Sequence, residues 1–236
     1  MTSPSRHGFW RNSGFRYIAQ STLVVWDPNS TRSGRYNSES NLNPVTNLYP
    51  IICARELELG FTTVTLVNSY SDLSSIDLSQ FDHVWDIGYD TVIPLATQYQ
   101  YRNYLHNYGS LFVLGENANF IDRNDSIADL VQLAGGGSVS CSSTAYGTFT
   151  DSVQSQFLLA NNSSSITWYA PGEFSQIGTG TAITSGQVAV MWKTGSLSAA
   201  PYGAIVAVLD TTFMTTPDAT TNLPFFDNLS LCLSIK

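Results

Sequence analysis

Residues 110 to 138 read SLFVLGENANFIDRNDSIADLVQLAGGGS, and the pattern of this stretch decides the fold. Leu111 to Leu114 is a short, unbroken apolar run, the mark of a strand buried on both faces of a parallel sheet. Gly115-Glu116-Asn117-Ala118-Asn119 is small and polar, so the chain turns where the strand ends. Asp125 stands where a helix N-cap is expected, with Ile127, Leu130, Val131 and Ala134 at helical spacing after it. Gly135-Gly136-Gly137 then stops the helix. A strand that ends in a tight turn delivers its next residues to the carboxyl edge of the sheet, where open α/β folds hold ligands. Function therefore turns on what Glu116 and Asn117 do there.

Toward the N-terminus the same alternation repeats. Leu23 to Trp26 predicts a first strand that stops at Asp27-Pro28-Asn29, and Ser30 to Asn43 a long polar loop. Tyr49, Ile52, Cys53, Leu57 and Leu59 give a helical stripe ended by Gly60. Val64 to Val67 is the second strand, and Phe81 to Asp86, centred on Val84 and Trp85, the third. A helix is predicted from about Leu95 to His106, with Tyr101, Tyr104 and Leu105 facing the core. Toward the C-terminus the texture changes after Gly137: Ser, Thr and Gly dominate, with aromatic β-like runs at Ile166–Tyr169 and Val188–Trp192 read as an antiparallel extension or edge hairpins. Ala204 to Leu209 returns as a core strand ending at Asp210, and Asn222 to Leu233 closes the chain as a helix. Strands separated by helix-sized connections predict an α/β fold: a three-layer, flavodoxin-like parallel sheet with helices on both faces and a β-rich extension after residue 137. Residues 1–14 form an N-terminal arm, and 15–236 one domain with its β-rich elaboration at about 138–200.

Composition narrows the function classes. A chain of 236 residues can bury a sizeable core. Only 12% of it is charged, against roughly 25% in ordinary soluble proteins. Hydroxyl and amide side chains must therefore cover most of the surface, as in secreted proteins and in subunits of large assemblies such as virus particles. The net charge of −8 with ten Lys plus Arg argues against non-specific binding to nucleic acid or an anionic membrane. No signal peptide and no run long enough to span a membrane is visible, which predicts a virion or cytoplasmic location. Cys53, Cys141 and Cys232 are odd in number and far apart, with no zinc spacing or disulfide framework. Cys53 and Cys232 lie in apolar helical patterns as core thiols, while Cys141, in a Ser/Thr-rich stretch, is the one expected to react. The N-x-S/T matches carry no meaning without a secretory route.

Four predicted strands end in a carboxylate: Asp27, Asp86, Glu116 and Asp210. In a parallel sheet all four reach the carboxyl edge, with Asn29, Asn68 and Asn117 nearby. Such a cluster can ligate Mg²⁺ or Ca²⁺ or supply a general acid and base; equally, Asp and Asn cap helices and form turns at strand ends in any α/β protein. Among the histidines, His83 precedes apolar strand positions and reads as a half-buried, hydrogen-bonded residue, His106 closes a helix, and His7 is in the arm. None has a neighbouring motif that fixes a triad. No glycine-rich phosphate loop with Lys is present, so nucleotide binding has no motif behind it.

The order of elements, the segment LFVLGENANF and the late strand AIVAVLD followed by a helix resemble the class I glutamine amidotransferase-like superfamily, with its DJ-1-like and ThuA-like members. The resemblance covers roughly residues 20 to 135 and 203 to 236 and implies a flavodoxin-like core. In active members the turn after this strand reads Gly-x-Cys-x-Gly, which sets a thiol nucleophile on a strained elbow. Here Gly115 is kept, the nucleophile position is Asn117, and the second glycine is Asn119. The His-x-Glu pair of the family is absent as well, since Asp210 leads into Thr211-Thr212-Phe213. An amide is no nucleophile for acyl transfer. The expectation is a non-catalytic structural or interaction protein that needs no cofactor, partnered by other protein subunits in a larger assembly such as a phage particle, as a capsid or tail component. A metal-assisted hydrolase, or a carbohydrate-binding module, that uses the acidic edge is the alternative.

Overall fold

The computed structural model describes residues 21–26, 44–142, 147–157, 164–211 and 219–234. The arm at 1–14, the loop at 30–43 and Asp27 lie outside the described residues. Five strands alternate with helices: β1 (Ser21–Val25), α1 (Pro44–Glu58), β2 (Thr63–Val67), α2 (Tyr70–Leu73), β3 (His83–Asp86), α3 (Leu95–His106), β4 (Ser110–Leu114) and α4 (Ile121–Leu133), with the fifth strand much later in the chain. Then come β5 (Val139–Cys141), β6 (Phe149–Ser152), β7 (Ser165–Trp168), β8 (Phe174–Ile177), β9 (Thr181–Ala182), β10 (Ala189–Trp192), β11 (Ala204–Val208) and α5 (Ala219–Ser234).

The central sheet runs β2-β1-β3-β4-β11-β10-β9. Its first five strands are parallel, in the flavodoxin-like order, and β10 and β9 continue it antiparallel. The run at Val188–Trp192 thus joins the main sheet through β10, while β5 pairs with β8 and β6 with β7 as separate antiparallel ribbons. Because side chains alternate along a strand, β4 sends Phe112 and Leu114 to one face and Leu111 and Val113 to the other. The first face packs against Ile52 of α1 and Phe225, Phe226, Leu229 and Leu233 of α5. The second packs against Tyr101 and Leu105 of α3 and Ile127, Leu130 and Val131 of α4. Both faces are covered, and that is why these strands read as continuous apolar runs.

One boundary differs from the sequence reading. Asp125 is not an N-cap; it is the fifth residue of α4, on its exposed side. The helix is entered earlier, at Asn117, whose side chain accepts a hydrogen bond from the Asn119 N–H at 3.0 Å and opens the 3₁₀ turn Ala118–Phe120 that runs into α4. Arg123 and Asn124, which precede the expected N-cap, lie within α4 and are buried on its inward face by hydrogen bonding. The glycine stop holds: α4 ends at Leu133 with Ala134 as its C-cap, and Gly135 adopts φ +90°, a left-handed conformation that favours glycine.

Candidate functional site

The turn after β4 is held from behind by α4. The Asn124 side chain accepts from the Glu116 N–H at 3.1 Å and donates to the Glu116 carbonyl at 2.6 Å, so one amide fixes both backbone groups of Glu116. Arg123 Nε donates to the Leu114 carbonyl at 2.9 Å. Gly115 has no room for a side chain, because a Cβ there would lie 2.5 Å from Leu209 Cδ2 and 2.6 Å from Asn124 Oδ1.

Glu116 is only 5% exposed, and its carboxylate is enclosed. Oε1 accepts from the Asn117 backbone N–H at 2.9 Å and from the Asn117 side-chain amide at 3.2 Å. Oε2 accepts from the Thr211 N–H at 3.1 Å and contacts the Thr211 hydroxyl. Burial, then the charge of Asp210, push its pKa up from 4.5 to about 8, more than the hydrogen bonds from Thr211 and Asn117 bring it down. Asp210, itself buried, accepts from the Tyr169 N–H at 2.7 Å. Two of the residues expected on the acidic edge, Glu116 and Asp210, are therefore close enough for the charge of one to raise the pKa of the other.

Asp86 belongs to a different cluster on the same edge. Its carboxylate accepts from Arg123 Nη2 at 2.9 Å, the Tyr70 hydroxyl at 2.9 Å, the Tyr101 hydroxyl at 3.0 Å and the Gly88 N–H at 3.2 Å. Arg123 Nη1 donates in turn to the Tyr70 hydroxyl at 2.8 Å and the Thr91 carbonyl at 3.1 Å. Burial raises the pKa of both phenols and keeps them protonated donors. The Asp86–Arg123 pair is fully buried and saturated with partners, which makes it a brace between the ends of β3 and β4. No three His, Cys, Asp or Glu side chains converge as a metal site among the described residues.

The β-rich extension closes the edge from above. Besides the Tyr169–Asp210 bond, the Gly172 N–H donates to the Leu209 carbonyl at 2.7 Å. A Cβ on Gly172 would lie 2.5 Å from the Glu116 carbonyl oxygen, so the extension approaches the elbow as closely as backbone allows. Asn117, the next residue of the turn, is left 7% exposed. Its amide is engaged by Glu116 and by the start of the 3₁₀ turn.

Pattern reading missed a second buried polar chain, at the amino edge. The Thr22 hydroxyl donates to Glu56 Oε2 at 2.6 Å, His83 Nδ1 lies 3.0 Å from the same oxygen, and His83 Nε2 lies 3.2 Å from Ser234 Oγ. Hydroxyl, imidazole and carboxylate follow the order of a nucleophilic triad. Yet Ser234 ends α5, where carbonyls present negative partial charge and no donors to an oxyanion. The chain instead ties α1 and α5 to the first residues of β1 and β3. Cys141, expected to react, is pushed up to about 12 by burial and by Asp125; its Sγ lies 3.6 Å from the Asn124 carbonyl. Cys232 is likewise pushed up to about 12 by burial, and Cys53 is partly exposed.

No family profile and no curated protein matches the chain in sequence. Solved structures do match in shape. The N-terminal domain of mmIFT52 superposes with a TM-score of 0.63 at 11% identity, covering 92% of this chain and 98% of that one. A ThuA-like protein from Bacteroides uniformis matches with a TM-score of 0.54 at 10% identity over 93% of this chain and 94% of that one. A second, from Parabacteroides merdae, matches with 0.54 at 8% identity over 91% and 90%. At such identities the likeness is one of fold. It includes ThuA-like proteins, of the class I glutamine amidotransferase-like fold.

Proposed function

We propose that the chain is a non-catalytic structural or interaction protein on an amidotransferase-like scaffold, and a subunit of a larger assembly, of which a phage particle is one kind. The observation that carries this reading is the closed elbow. The residue in the nucleophile's place is an amide whose polar atoms are engaged, and Gly172 packs over the neighbouring backbone. Acyl transfer at an elbow needs a nucleophile, a base within reach and donors aimed at open space. Here the buried imidazole, His83, sits at the start of β3, at the opposite edge of the sheet from Glu116. The weakly charged surface suits lasting contact with other subunits.

One observation favours a second reading, an acid–base hydrolase. A carboxyl with a pKa of about 8 beside another carboxylate is the kind of pair that exchanges protons near neutral pH. Against it, both oxygens of Glu116 already have partners and its surroundings are closed. The test is a panel of glutaminase, protease, esterase and glycosidase assays on the purified chain, with light scattering in parallel. Blank assays with a particle mass above that of one chain are expected. Turnover that disappears in Glu116→Gln or Asp210→Asn overturns the non-catalytic reading, and a monomer at every concentration removes self-assembly.

A further inference from the structure

A groove of about 690 Å³ lies between residues 92–98, which lead into α3, and the outer side of α4. One wall is apolar, formed by Val92, Ile93, Pro94 and Leu95, with Leu133 across from it. Val92 is 47% and Leu95 62% exposed, unusual for large apolar side chains in this molecule. The other wall carries Asp122, Asp125 and Asp129. Spaced three and four residues apart on α4, they share one face. None of the three has a hydrogen bond or ion pair among the described residues, whereas exposed Glu58 is bonded to Arg55 and Asp77 to Ser79. Their charges press on one another: burial, then Asp129 and Asp122, raise the pKa of Asp125. An apolar wall facing three carboxylates that have no partner among the described residues suits a cationic, aromatic segment.

The sequence holds one such segment. Residues 1–20 contain Arg6, Arg11 and Arg16, three of the ten cations, and no Asp or Glu. The remaining residues carry seven cations against eighteen acids, a net charge of −11. Phe9, Trp10, Phe15 and Tyr17 alternate with the arginines. We propose that residues 6–17, the N-terminal arm together with the residues that continue it to Tyr17, occupy the groove, with the arginines on Asp122, Asp125 and Asp129 and the aromatic rings on Val92, Leu95 and Leu133. Successive arginines five residues apart span about 7.5 Å if helical and about 16.5 Å if extended. The seven helical residues from Asp122 to Asp129 rise about 10.5 Å, inside that range. The arm joins the described chain at Ser21, at the start of β1. Twenty extended residues reach about 66 Å, enough for its own groove or a neighbouring copy's. The inference goes beyond the proposed function, since an arm on its own groove is an internal strap and an arm on another's is a connector.

Limited trypsinolysis of the intact chain, followed by mass spectrometry, tests it. Trypsin cuts after Arg6, Arg11 and Arg16. In the wild type these bonds should be cut at least about tenfold more slowly than in a synthetic peptide of residues 1–20, because cleavage follows the population of the open form. The exposed triple substitution Asp122→Asn, Asp125→Asn and Asp129→Asn should leave the circular dichroism unchanged and abolish the protection. Salt at about 1 M should weaken it in the wild type, relative to the peptide in the same salt. Wild-type cleavage at the peptide's rate overturns the proposal, and so does protection that survives the triple substitution. Protection lost on dilution assigns the arm to a neighbouring copy, and concentration-independent protection to its own; both sustain the groove as its seat.

Discussion

At Glu116, burial and the Asp210 carboxylate separate the folded pKa, about 8, from the ordinary 4.5, so folding and proton binding are linked there. The unfolded chain releases this proton near 4.5 and the folded chain near 8. The contribution to stability is therefore full below the lower value, is lost as pH rises through the window, and is constant above it. Urea denaturation at pH 5, 6.5 and 8 should show stability falling by up to a few kcal/mol, at no more than about 1.4 kcal/mol per pH unit. Glu116→Gln should flatten the slope in that window; an unchanged slope assigns it to another group. Asp125, also raised, is exposed and screened and adds little. The cysteines give a second expectation at this scale. With Cys141 and Cys232 both pushed up to about 12, a maleimide at pH 7.5 should leave both unlabelled in the native chain and label both in denaturant. Fast native labelling of Cys141 contradicts the packing of its sulfur against α4. Its Ser/Thr-rich neighbours suggested an exposed thiol, but β5 pairs with β8 and brings the sulfur against α4.

Among the elements, α4 does the most to shape the carboxyl edge, through two side chains that its sequence pattern hides. Arg123→Met should cost about 3–5 kcal/mol, because it strands the Asp86 carboxylate in the core. Adding Asp86→Asn should recover part of that loss, and a thermodynamic cycle from chemical denaturation reads the difference. In the extension, Asp151 plays the comparable part. It accepts from the Gly186 N–H at 2.8 Å and Trp168 Nε1 at 3.3 Å and contacts the Ser185 hydroxyl. Asp151→Ala should cost about 1–3 kcal/mol by leaving those donors unmatched; an effect below a few tenths in a melt contradicts that role. Apolar runs and glycine stops made the strands and helices legible in the sequence, since a strand buried on both faces admits little else. Arg123, Asn124 and Asp151 were illegible for the opposite reason: polar residues normally mark surface, and only partners distant in the chain, such as Asp86, reveal otherwise. Of the carboxylates expected together, Glu116 and Asp210 do meet because β4 and β11 are neighbours, a pairing that no local pattern encodes.

For the molecule as a whole, that pairing ties residues 110–114 to 204–208, with the entire extension looped out between them. β11 is flanked by β4 on one side and β10 on the other, so it completes the sheet instead of trimming it. A chain ended after Gly203 should lose cooperative unfolding and aggregate, since it exposes the β4 edge and strips α5 from one face. A sigmoidal melt from that truncation contradicts the central place of β11. The Gly172 contact reaches further still. A roof that follows the elbow at backbone distance shuts in the position of Asn117: a sulfur set there by Asn117→Cys would be enclosed on all sides. Its reactivity toward iodoacetamide should match that of a core thiol. Whatever covers a turn at backbone distance also limits which side chains can act beneath it.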